Sequence, residues 1–335
     1  MTLVQFAPIV TRVSKHGRRR IHPYVWPAAT VAGVLVVVIA GVMLTVGGSD
    51  HRGVVEAAHA AGATPSTSAA PSASSSTVPP PTGTAASPTT ATTAATAPNA
   101  PAHFGTLAPS AALPSGAQCA TWVRATPYKE NKGANAAANR TTGHHVGSNF
   151  FSGDDARANT VIAPRVDGQF TGTTHQILRW AACKWGIDED IVYAQAAIES
   201  WWQQNTLGDW GTDASRCAPG RGLGVDGKAG QCPESFGILQ NRYPYETSSW
   251  PGIATSTAMN ADLAYGIWRT CFMGYEGWLN TVDDKVGTYA AGDAWGCIGR
   301  WFSGRWHTSA SEGYVGRVRD YLNQRIWETP NFQQP

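Results

Sequence analysis

The sequence predicts a mainly α-helical domain in its C-terminal two thirds, and three observations carry that prediction. Apolar residues recur at helical spacing in three stretches: Ile191, Ala194, Ile198 and Trp202; Leu263, Ile267 and Cys271; Val315, Val318, Leu322 and Ile326. No alternating strand pattern of comparable length occurs. All six cysteines lie at or after Cys119, and twelve of the fourteen tryptophans fall between Trp180 and Trp327. The disulfide-tied, globular part is therefore the last ~220 residues, enough for a single sizeable core.

The chain opens with a basic tail, residues 1–25, carrying Arg12, Lys15, Arg18, Arg19 and Arg20, and no acidic residue precedes Asp50. Residues 26–48 follow as an expected transmembrane signal anchor. Within them Pro27–Val46 is an uncharged apolar run of 20 residues, about what a helix needs to cross a ~30 Å hydrocarbon core. The basic flank orients the N-terminus to the cytoplasm and everything after Asp50 outward. Ala58-His59-Ala60 offers a cleavage point, so a retained single-pass anchor in the cell membrane and secretion after cleavage near Ala60 are both open.

Residues 49–112 are expected to be a disordered linker. Ala61–Ala112 holds nine prolines and one aromatic residue, Phe104, and no charged residue lies between Glu56 and Arg124. Such a segment buries too little apolar surface to offset the entropy of ordering it. Fully polyproline-like, it would reach on the order of 160 Å, a tether suited to a domain working in a cell wall. Residues 113–172 contain Cys119 and Trp122 among Gly, Asn and Asp clusters, and predict a loop-rich extension packed on the domain. His144-His145 lacks a second ligand pair and fits a surface loop rather than a metal site. Residues 113–335 carry a formal charge of −2, which argues against nucleic acid as a partner.

Six cysteines in an exported chain point to three disulfides, with fifteen pairings open. Cys217–Cys232 would close a Gly-rich loop, Cys271–Cys297 would tie a helix to a later segment, and Cys119–Cys183 would then pin the extension. No CxxC pair supports a metal site.

A helix is expected from about Thr174 to Trp185, stopped by Gly186, and a second over Ile191–Trp202 with Asp188 as its cap and Asp190 in its first turn. Glu199 stands one position off the second helix's apolar stripe, in line with Val192 and Ala196 and just before Trp201 and Trp202. A carboxyl there is partly desolvated, which raises its pKa toward what a general acid needs. The competing role is a rim glutamate bonded to a neighbouring loop. After Trp202 the chain turns loop-like through Leu207–Gly211 and on to Gln231. Gly222–Gly227 fits GxGxxG, but with no strand before it and no helix after it the motif is discounted. Next comes Ser235-Phe236-Gly237-Ile238-Leu239-Gln240, where Gln240 offers a donor and an acceptor to a sugar, or a core turn. Ser256 or Thr257 can cap a further helix. Val286–Asp293 and Trp295-Gly296-Cys297 precede a last helix from about Ser311.

In that order, Glu199-Ser200, Ser235–Gln240 and Tyr289-Ala290-Ala291-Gly292 resemble the soluble lytic transglycosylase family of the lysozyme superfamily, in an exported actinobacterial form. The likeness covers roughly Thr173–Trp327. It implies a lysozyme-like helical domain over 173–335 that cleaves the β-1,4 bond between N-acetylmuramic acid and N-acetylglucosamine and leaves 1,6-anhydro ends. Glu199 would be the acid/base, Ser200, Ser235 and Gln240 would position glycan, and Tyr289 would lie near the scissile bond. Ala290 stands where the family has asparagine, and Ile238-Leu239 where it has Leu-Met.

One glutamate stands out, whereas ordinary glycosidases use two carboxylates. Asp209 and Asp213 are the available second acids, and their Gly-containing surroundings suit turns. Tryptophans near Glu199, namely Trp201, Trp202 and Trp210, are the candidates to cover pyranose faces. Two alternatives remain: a hydrolytic muramidase or chitinase-like enzyme on the same fold, and a non-catalytic wall-binding module, which Ala290 keeps open. Peptidoglycan strands are the expected ligand and the membrane the expected anchor, with no cofactor or metal called for and no protein partner indicated.

Overall fold

The computed structural model describes residues 100–333. The expected membrane span at 26–48 and the linker up to residue 99 lie outside the described residues. Among the described residues no helix is long and apolar enough to cross a membrane.

Helix α1 is Gly116–Arg124, capped by the Ser115 hydroxyl, which accepts from Gln118 N at 3.1 Å. Helix α2, Thr174–Trp185, starts in a reciprocal capping box between Thr173 and Gln176. Gly186 ends it in the left-handed region, φ 59°, where a Cβ would be strained. Helix α3, Glu189–Ser200, begins on Asp188, whose carboxylate accepts from Asp190 N and Ile191 N. It stops two residues short of the expected end. Trp201 and Trp202 both turn left-handed, φ 56° and 61°, a conformation that costs a bulky residue energy. Trp202 is held there by complete burial and by its indole N–H, which donates to Tyr193 O at 2.9 Å.

A small antiparallel sheet follows, in the order β1-β2-β3: Leu207–Gly211, Cys232–Phe236 and Asn241–Arg242. β1 corrects the loop expected at Leu207–Gly211. Two glycines and an aspartate give that segment little strand propensity, and it is a strand because it pairs with β2, Leu207 opposite Phe236 and Trp210 opposite Pro233. The Gly222–Gly227 stretch lies in the long connection between β1 and β2. A strand does precede it, but no helix follows.

Helix α4 is Gly252–Thr255, and α5 is Thr257–Phe272, capped by Ser256 and buried at every residue. Helix α6, Ala294–Ser303, is capped by Asp293; α7, Ser309–Gln324, is capped by Thr308; α8 is Pro330–Gln333. Helix α5 packs against α2 and α6, and α7 packs against α3 and α6. The domain is thus mainly helical around a core that includes Trp180, Trp185, Trp202 and Tyr265. At its centre Lys184 Nζ pairs with the fully buried Asp262 at 2.8 Å, and Asp262 also accepts from Trp185 Nε1 and from the backbone of Asp167 and Gly168. With its acceptors satisfied, this buried charge fixes the extension to α2 and α5.

The disulfides are Cys119–Cys183, Cys217–Cys232 and Cys271–Cys297, and no cysteine is free. They tie α1 to α2, close the connection between β1 and β2, and tie α5 to α6. The extension is loop-rich apart from α1 and short 3-10 and π turns.

The linker boundary at residue 112 moves. Pro101–Ala112 lies against the domain as a strap: Phe104 is buried, Leu107 N donates to Gly186 O, and Glu189 N donates to Phe104 O. Two buried arginines use strap carbonyls as acceptors, Arg179 those of Pro101 and Ala102, Arg269 those of Leu107, Ala108 and Pro109. Composition hides this, because the strap contributes backbone oxygens and one ring rather than an apolar pattern.

Candidate active site

Helix α3 is buried without a break from Ile191 to Ala197, and its last turn opens at Ile198 and Glu199. Glu199 keeps some exposed surface while its carboxyl is packed as an interior group is. Burial dominates and pushes its pKa up to about 7; the Tyr314 hydrogen bond opposes this, the charge of Asp209 adds to it, and Trp301 and Arg317 oppose it. The Tyr314 hydroxyl donates to Glu199 Oε1. Phe302 stacks flat on Tyr314, centroids 4.8 Å apart, and is 51 % exposed. The Arg317 guanidinium lies over both rings.

Ser200 and Gln240 act through backbone. The Ser200 hydroxyl donates to Ile238 O at 2.8 Å, fastening the end of α3 to the turn after β2. Gln240 sits left-handed, φ 54°, and its amide donates to Gly237 O and Thr206 O at 2.8 and 3.2 Å. A Cβ at Gly208 would come within 2.2 Å of Gln240 Oε1, so a side chain there would displace the Gln240 amide from its present position. Ser235, buried in β2, donates to Asp209 Oδ2, and Arg242 Nε lies 3.3 Å from the same oxygen. Asp209 is thus an exposed carboxylate on β1 whose charge reaches Glu199. Asp213 caps the short turn Ala214–Arg216, as a turn residue does.

Two of the aromatic expectations, Trp202 and Tyr289, need correction. Trp202 is core, wedged between Tyr193 and Phe332. Trp201 is partly buried against Phe332 and Tyr321, toward the C-terminal segment. Trp210 lies on β1 with Lys228 Nζ 4.1 Å above its ring. Tyr289 is buried, and its hydroxyl is used up: it donates to Cys271 O at 2.6 Å and accepts from Glu276 N at 3.1 Å. It is Tyr314 that meets Glu199.

No family model, no curated protein and no solved structure matches this chain.

The site therefore stands on its own geometry. Two cavities of about 190 Å³ are lined elsewhere, one by Val286–Thr288, Asp293, Trp306 and His307, the other by Gln204, Leu207, Arg221 and Phe236; neither is lined by Glu199. A trio of metal-type donors, His103, Asp188 and Asp190, stands within 4.8 Å. Each is engaged: Asp188 caps α3 and bonds His103, and Asp190 pairs with Arg325. The positive end of α3 also opposes a cation there. His144 bonds Ser248 O, consistent with a loop contact.

Four residues around Glu199 and its tyrosine partner were not singled out from sequence: Tyr314, Trp301 and Arg317, which act on Glu199, and Phe302, which stacks on Tyr314. Tyr314 left a signal. It falls on the buried face of α7 with Ser311, Val315 and Val318, and a buried phenol requires a partner for its hydroxyl.

Proposed function

We propose that this protein cleaves peptidoglycan glycan strands with Glu199 as the acid, by the lytic transglycosylase route. The observation that carries the reading is a carboxyl at the open end of a buried helix, with its pKa raised to about 7 and an aromatic hydroxyl donating to it. Near neutral pH such a group is substantially protonated and can give its proton to a glycosidic oxygen. The Tyr314 donor and the Arg317 charge then favour the carboxylate left behind, which can take the proton of the muramic C6 hydroxyl as that oxygen closes a 1,6-anhydro ring. No water is consumed, and acid and base are one residue. Phe302 offers an exposed ring face to a pyranose. A lysozyme-like arrangement is compatible with a helical domain carrying a small sheet beside the acid, and three disulfides fit an exported, oxidising location in the wall, anchored or secreted.

Asp209 favours a second reading, hydrolysis. An exposed carboxylate on β1 that is electrostatically sensed by Glu199 is what a two-carboxylate glycosidase needs to activate water or stabilise positive charge at the anomeric carbon. Product chemistry separates the two. Mass spectrometry of digests of purified peptidoglycan should show anhydro ends under transglycosylation and free reducing ends under hydrolysis. A digest unchanged by the wild-type full chain would leave only a glycan-binding role.

A further inference from the structure

We propose that His307, held as an imidazolium between Asp293 and Glu312, is a positioning residue that clamps the corner between α6 and α7 and so keeps Tyr314 aimed at Glu199. This rests on the reading of Glu199 as the acid. His307 Nε2 lies 2.7 Å from Asp293 Oδ2 and Nδ1 lies 2.5 Å from Glu312 Oε1. Carboxylates only accept, and a neutral ring has a single N–H, so both contacts are satisfied together when both nitrogens carry protons. Burial works against that charge, but the bonds to Glu312 and Asp293 outweigh it and raise the His307 pKa above its ordinary value. Arg305, two residues before His307, pairs with Asp284 at 2.9 Å, and Trp306 packs edge-on against the His307 ring.

Each carboxylate is also part of a helix start. Asp293 caps α6 through Oδ1, which accepts from Gly296 N at 2.8 Å, and Glu312 stands in the first turn of α7. Trp301 follows on the first helix and Tyr314 on the second, two residues beyond Glu312. Ser303 and Ser311 hydroxyls, 2.7 Å apart, close the corner from the other side. Gly296 permits the clamp and its packing: a Cβ there would lie 2.5 Å from the Trp306 ring, 2.7 Å from Asp293 Oδ2 and 2.8 Å from His307 Nε2. As pH rises through the His307 pKa one contact loses its donor and the corner loosens. The closed clamp and protonated Glu199 therefore coincide on the acid side.

The test uses the full chain with indole-¹⁵N tryptophan and carboxyl-¹³C glutamate, titrated by NMR, alongside pH–rate profiles on soluble glycan. In the wild type the Trp301 indole resonance should show two inflections, one from Glu199 and one from His307. His307→Gln should leave one, raise the Glu199 pKa by on the order of half a unit as the Tyr314 donor loosens, and lower kcat ~3–10-fold with KM nearly unchanged. Gly296→Ala should do the same by wedging the clamp, and His307→Arg, which keeps a cation between the carboxylates, should recover most of the rate. A single wild-type inflection, or Trp301 and Glu199 resonances unmoved by His307→Gln and Gly296→Ala, overturns the proposal. If the wild type cleaves no glycan, the functional reading falls, while the titration still decides the clamp.

Discussion

Glu199 and Glu276 are glutamates of the same domain whose carboxyls burial pushes to the same value, about 7, yet they sit in opposite kinds of surroundings. Glu276 is 1 % exposed and locked by the Arg300 guanidinium, Nη2 to Oε1 at 2.6 Å and Nε to Oε2 at 2.7 Å, with Asp154 nearby raising its pKa further. Its backbone N–H is bonded by Tyr289. Glu199 has no such lock; it has one phenol, a neighbouring indole, a distant carboxylate and an open side. Glu246, raised to about 8 by burial, is closed off without any guanidinium lock, and its Oε2 has no hydrogen-bond partner among the described residues. The difference teaches that a near-neutral carboxyl does not by itself mark a site. Access and the absence of a guanidinium partner do, because a carboxyl held in a buried ion pair is not free to serve a substrate.

The comparison can be broken most decisively at Glu199. Glu199→Gln should reduce glycan cleavage by ~10²–10⁴-fold, the usual worth of a general acid, without lowering thermal stability; a variant keeping more than about a tenth of the wild-type rate would remove Glu199 from the chemistry.

The next largest effect is on stability. A chain beginning at Leu113 loses the strap, exposing the Phe104 pocket, worth ~1.5–3 kcal/mol, and stripping carbonyl acceptors from Arg179 and Arg269 at ~1–3 kcal/mol each. It should melt well below a chain beginning at Ala100, while soluble-glycan rates at low temperature stay comparable. Equal melting of the two chains would show the strap to be passive.

Glu276→Gln sharpens the contrast directly. It should cost roughly 1–3 kcal/mol by leaving Arg300 without its charged partner, and should leave kcat within a factor of ~2 at temperatures where the variant is folded. Loss of rate matching Glu199→Gln would mean the closed region takes part in the reaction.

Tyr314→Phe should slow cleavage about tenfold, the worth of one charge-directed hydrogen bond. Because that bond holds the Glu199 pKa down, its removal should carry the alkaline limb of the pH–rate profile upward. A limb that stays in place or moves down means Tyr314 is not felt by the reacting carboxyl.

The smallest effect is thermal and has a definite sign. Glu199 titrates at about 7 when folded against an ordinary 4.5, so between those values the native state binds more protons and wild-type stability falls as pH rises. Glutamine does not titrate. The melting temperature of Glu199→Gln relative to wild type should therefore climb by a few degrees from pH ~4.5 to ~7, and a flat difference would place Glu199 in water.

Local rules alone settled much of this protein. Asp188, Ser256 and Gly186 mark helix ends because capping depends on a few adjacent residues, and the three disulfide pairs join segments that the cysteine positions suggest. The desolvated state of Glu199 follows from its place beside an apolar helical stripe. What tertiary structure decided are the matters that depend on distant chain. β1 is a strand only through its ladder with β2, the strap is ordered by buried arginines, a ring pocket and backbone bonds that distant segments supply, and Trp202 is core because α3 ends before it. The partner of Glu199 is Tyr314 rather than Tyr289, since which of two tyrosines meets a carboxyl 90 or more residues away is set by the packing of α7 on α3, and no local pattern encodes that crossing.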